Sequence, residues 1–155
     1  MKDLRGLGLD LNSVWDLYKI PDSRPQAISI LLKHLALDYP DRVLFGIGAG
    51  LDHKSARAYW SDLRQMMLTT ERDEVRDRVA VALANCATRT HYGDLLAFIQ
   101  DESLGESRIY FLRPINRIGN RISAGQGRAV IEQLADHPIL GTESTRILQG
   151  RSRSQ

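Results

Sequence analysis

The chain has 155 residues, a formal net charge of +2, and 43% apolar against 26% charged residues. That length holds one domain or a short repeat array with a core of its own, and the apolar fraction excludes wholesale disorder. No run approaches the ~18 apolar residues that a membrane span needs, and the opening Met1–Gly6 has no apolar stretch, so the expectation is a cytoplasmic protein without a cleaved leader.

Period-2 alternation is missing and helical periodicity recurs, which predicts an all-α chain. A leading helix is expected at about 11–19, carrying Trp15 and Leu17. Four helix pairs follow, at about 24–37 with 40–51, 54–68 with 74–87, 91–100 with 106–119, and 125–136 with 139–149. The first helix of each pair shows an apolar stripe at i, i+3, i+4 and i+7: Ile28, Leu31, Leu32, Leu35; Ala56, Tyr59, Trp60, Leu63; Tyr92, Leu95, Leu96, Ile99; and Gly127, Val130, Ile131, Leu134. The second helices align on Arg42, Arg76, Arg108 and Gly141, spaced 34, 32 and 33 residues apart. Two helices per unit at a period in the low thirties point to a helical solenoid. Pro114 inside the third pair's second helix predicts a kink near 110–114, at roughly 3 kcal/mol if the helix stays straight. The chain reads as a single domain over 1–150, with Arg151–Gln155 a frayed basic tail.

These residues resemble the HEAT-like repeat family. Tyr39-Pro40-Asp41-Arg42-Val43, Glu74-Val75-Arg76 with Ala80 and Leu83, and Asp101 through Gly105 to Ser107-Arg108 look like its inter-helix turn and second helix. The resemblance covers roughly 14–149 and implies a right-handed α-solenoid of about four helix pairs. It further implies a ladder in which Asp41, Asp73 and Asp101 serve Arg42, Arg76 and Arg108. Family members act mostly as binding scaffolds, and the alkylpurine DNA glycosylases among them act on DNA.

Positions two, five and nine after the Arg slot share one face of the second helices. They nominate Arg78, Tyr110, Arg113, Arg117 and Arg146 as a partner-binding groove. Glu143 falls on the same outward set, while Leu44, Ile47 and Leu51 form an apolar end for the leading helix to cover. Seventeen of the 21 basic residues are Arg, and residues 105–155 hold eight Arg against four acids. The partner expected there is an acidic protein.

Chemistry that would mark an enzyme is missing from the sequence. His34, His53, His91 and His137 are dispersed and form no metal-binding motif. Gly46, Gly48 and Gly50 sit in a helical context, where close helix approach is the reading. Cys86 lies among apolar residues as a core thiol. The expectation is a non-catalytic scaffold without cofactor or metal, able to self-associate, with a nucleic-acid binder as the alternative. A net charge of +2 is modest for duplex DNA.

Overall fold

The computed structural model describes residues 2–8, 12, 13, 16 and 24–150. Every regular element among them is helical, and no strand occurs among the described residues. No helix among them is long and apolar enough to cross a membrane. Two compact units divide the chain, Met1–Cys86 and Ala87–Gln155. Helix occurs in each of the eight paired segments expected after residue 24. Of the leading helix predicted at 11–19, Trp15 and Leu17 lie outside the described residues, as does the tail 151–155.

The first unit contains α1 (Lys2–Arg5), α2 (Arg24–Leu35), α3 (Asp41–Leu51), a 3-10 segment (Lys54–Tyr59), α4 (Trp60–Thr69) and α5 (Asp73–Cys86). The α2 stripe of Ile28, Leu31, Leu32 and Leu35 is buried, and α2 packs on α3. Pro40 precedes α3 with φ −57° and ψ 147°; its ring suits a helix start, where no backbone N–H is required. Asp73 and Glu74 place carboxylates in the first turn of α5, at the positive end of its dipole. α5 is the central helix of this unit, packing on both α3 and α4. Its small buried residues, Ala80, Ala82 and Ala84, permit both approaches. Gly48 of α3 provides the tightest one, since a Cβ there would lie 2.6 Å from the Arg78 side chain.

The second unit contains a 3-10 turn (Arg89–His91), α6 (Tyr92–Gln100), a 3-10 segment (Glu102–Phe111), α7 (Leu112–Ile122), α8 (Gln126–Gln133) and α9 (Gly141–Leu148). Thr88 and His91 close a capping box ahead of α6. The Asp101 carboxylate accepts from the Ser103 N–H at 3.0 Å and the Ser103 hydroxyl at 2.6 Å, opening the next segment. Phe98 and Phe111 stack with centroids 4.8 Å apart and anchor this unit's core.

The expected kink at Pro114 takes another form. The 3-10 geometry changes to α at Phe111–Leu112, so Pro114 occupies the first turn of α7. A missing N–H there breaks no intrahelical bond, and the interior-proline penalty does not arise. The sharp break in this segment lies earlier, at Gly105, with φ 57° and ψ −134°.

Candidate functional site

The sequence of α7, Leu-Arg-Pro-Ile-Asn-Arg-Ile-Gly-Asn-Arg-Ile, divides cleanly by face. Leu112, Pro114, Ile115, Ile118 and Gly119 are buried, whereas Arg113, Arg117, Asn120 and Arg121 are exposed. Arginines at 113, 117 and 121 recur every four residues, stepping about 6 Å along one side of the helix. The helix contains no acid. Like charges at i, i+4 destabilise a helix by about 0.2–0.5 kcal/mol per pair, so the spacing within the stripe itself works against the helix.

The buried side of α7 is fixed by α8. A Cβ on Gly119 would lie 2.6 Å from the Gly127 Cα, and one on Gly127 would lie 2.7 Å from the Ile115 carbonyl oxygen. The two backbones therefore cross in direct contact. Tyr92 packs its hydroxyl against the same crossing, and burial raises its pKa. On the outer side, Asn120 donates from Nδ2 to Asn116 Oδ1 at 3.1 Å, and its own Oδ1 accepts from the Arg128 N–H at 3.0 Å.

Glu143 of α9 organises one end of the stripe. Its Oε1 accepts from Arg113 Nε at 2.9 Å and lies 2.8 Å from Arg113 Nη2, while Arg146 Nη1 stands 3.5 Å from Oε2. Glu143 is only 2% exposed, and the two arginines are about half exposed. The sequence pattern places Glu143 on the outward face; the structure buries it beside Arg113 and Arg146, because a carboxylate ion-paired with two guanidinium groups can leave water. The cluster keeps a net positive charge with its carboxylate hidden. Arg117 and Arg121 form no ion pair among the described residues. Tyr110 is half-buried in the 3-10 segment ahead of α7.

Arg78 belongs to the first unit and is engaged there. Its stem fills the space left by Gly48, its guanidinium lies 4.6 Å above the Phe45 ring, and its Nε is 3.4 Å from Glu74. Leu44, Ile47 and Leu51 are buried, leaving Val43 and Phe45 as the exposed apolar residues of α3. Arg121 escaped the sequence reading, although its four-residue spacing from Arg117 was the signal that could have found it.

The ladder residues are distributed as follows. Arg76 pairs with Asp73 at 2.5 Å and donates to the Thr70 carbonyl at 2.7 Å. Asp41 lies 3.3 Å from Arg72, which also bonds Asp38 at 2.9 Å and the Tyr39 carbonyl at 3.0 Å. Arg108, only 3% exposed, gives its donors to the Gly105 and Ile99 carbonyls at 2.9 and 3.2 Å, while Asp101 serves Ser103. Arg42 is exposed beside Asp41.

Three histidines act as backbone acceptors at helix starts: His53 for Ser55, His91 for Thr88, and His137 for Ile139 and Leu140. Cys86 is buried, and burial pushes its thiol up to about 11. No group of three potential metal-ligating side chains occurs among the described residues. No family model, curated protein or solved structure matches the chain.

Proposed function

We propose that the chain is a non-catalytic, HEAT-like helical scaffold that binds an acidic protein through the arginine face of α7. The observation that supports this reading is the stripe Arg113, Arg117 and Arg121 on a helix without acids, with Arg113 held in place by a buried carboxylate. A guanidinium already fixed by Glu143 loses little rotamer freedom when a partner carboxylate meets its outer edge. Arg117 and Arg121 supply charge for steering and for register.

The same face also favours a second reading, nucleic acid, because Asn116 and Asn120 lie among the arginines and Arg with Asn is a composition that reads phosphates and base edges. Affinity capture from a native lysate, treated or untreated with nuclease, separates the two. Arg117→Glu with Arg121→Glu should abolish capture of an acidic protein, each reversal weakening it about tenfold. Capture that survives nuclease and disappears in the double variant supports the protein reading. Capture lost on nuclease treatment, with duplex binding that falls steeply with salt, replaces it by the nucleic-acid one. Capture unchanged in the double variant refutes both.

A further inference from the structure

The first unit holds a cavity of about 570 Å³ beside α2 and α3 that the α7 surface does not involve. Ile30 and Leu31 of α2 form one wall, and Val43 and Ile47 of α3 form another. That volume lies within the range that accepts drug-sized ligands, and apolar walls with a few grouped polar side chains are the usual composition of such sites. Here the polar residues are Asn12, Ser13, His34, Tyr39 and Arg42. Tyr39 Oη lies 2.8 Å from His34 Nδ1, the two rings stack at 5.9 Å, and His34 Nε2 lies 2.8 Å from the Asp3 carboxylate. Asp3 is thereby engaged by His34, which holds its carboxyl below the usual range, and Asp3 does not line the cavity.

Among the described residues, Arg42 is the charged side chain on the cavity wall, and no carboxylate lines the cavity with it. A second cavity of about 560 Å³ in the same unit shows the contrast: its arginine, Arg72, already bonds Asp38 and Asp41. We propose that the cavity beside α2 and α3 binds a small amphipathic organic anion, an alkyl or aryl carboxylate. Its head pairs with Arg42 while its apolar body covers Ile30 and Val43, the wall residues of α2 and α3 that keep exposed apolar surface. Val43, 40% exposed in the free protein, is the wall residue that gains most from being covered.

Calorimetric titration of the full chain with decanoate, decanol and decyltrimethylammonium tests this. Decanoate should bind saturably at one site and at least tenfold more tightly than decanol, and the cationic probe should not compete. Arg42→Gln should bring decanoate down to the affinity of decanol without changing the fold, because Arg42 is exposed. Val43→Trp, at another exposed position, should fill the cavity mouth and weaken both probes. Absence of saturable decanoate binding, equal affinity for decanoate and decanol, or binding that both variants leave unchanged would overturn the assignment.

Discussion

Replacing Gly127 with alanine tests whether the α7–α8 crossing is as close as the structure shows. In an open helix the change stabilises, because glycine loses about 1 kcal/mol relative to alanine in a helix interior. At this crossing the new Cβ would overlap the Asn116 carbonyl oxygen and lie 2.7 Å from the Ile115 carbonyl oxygen. Both are backbone atoms inside α7 and cannot rotate aside, so α8 must shift away as a body. Overpacking of this kind typically costs about 1–3 kcal/mol and belongs at the upper end where backbone meets backbone. Subtracting the propensity gain leaves a net loss of about 2 kcal/mol. Urea unfolding followed by circular dichroism should show the midpoint falling by about 1 M with an unchanged slope. Gly93→Ala is the matched control, since nothing lies within 4 Å of its added Cβ, and it should stabilise by about 0.5 kcal/mol. Gly105→Ala separates strain from crowding: space is open there, but φ 57° with ψ −134° costs a side chain about 1–3 kcal/mol. A Gly127→Ala protein as stable as the parent would refute the crossing.

Arg108→Lys should destabilise by about 1–2 kcal/mol, because an ammonium lacks the fixed fork whose Nε and Nη1 reach the Gly105 and Ile99 carbonyls separately; Arg117→Lys, changing an exposed charge for another, should stay within about 0.5 kcal/mol in the same urea assay. The folded Cys86 thiol, at about 11 rather than its ordinary 9.0, keeps its proton where the unfolded thiol has lost it. The native state therefore binds more protons between pH 9 and 11, so this group's contribution is present below pH 9 and is lost as pH rises through that window. Cys86→Ser should flatten that part of the stability–pH curve, and a thiol reagent at pH 8 should label the native protein far more slowly than the urea-unfolded one.

The helices were legible because each stripe, such as Ile28-Leu31-Leu32-Leu35, has to be buried and supplies a period of its own. Their finer geometry was less so. Lys54–Tyr59 and Glu102–Phe111 carry helical spacing but wind as 3-10, since i, i+3 contacts suit both forms over one or two turns. Pro114 shows the consequence: its meaning depended on where the α geometry begins, which the apolar pattern does not fix. The exposed Arg113 and Arg117 followed from helical register alone. Glu143 did not, because its burial depends on guanidinium groups from two helices converging on one carboxylate. Arg108 likewise has carbonyl partners set by where α6 ends.

The same dependence gives three arginines a role that lysine would fill less well. Arg57 donates to the carbonyl of Cys86, the last residue of α5, at 2.8 Å; Arg76 to Thr70, just beyond α4; and Arg108 to Ile99, in the last turn of α6. These carbonyls stand at helix C-termini, where intrahelical donors run out and partial negative charge collects. A planar fork can bind such a carbonyl and a second acceptor at once: Arg76 also holds Asp73, and Arg108 also holds the Gly105 carbonyl. Lysine offers no such fixed geometry. These three arginines are thus taken up by the ends of helices, and their donors are unavailable to a partner. Arg117 and Arg121 differ in both respects: they point outward from a helix without acids, and no helix-end carbonyl or carboxylate among the described residues bonds them. If the basic excess toward the C-terminus recruits a partner, it does so through these two side chains and the anchored Arg113, not through the total charge.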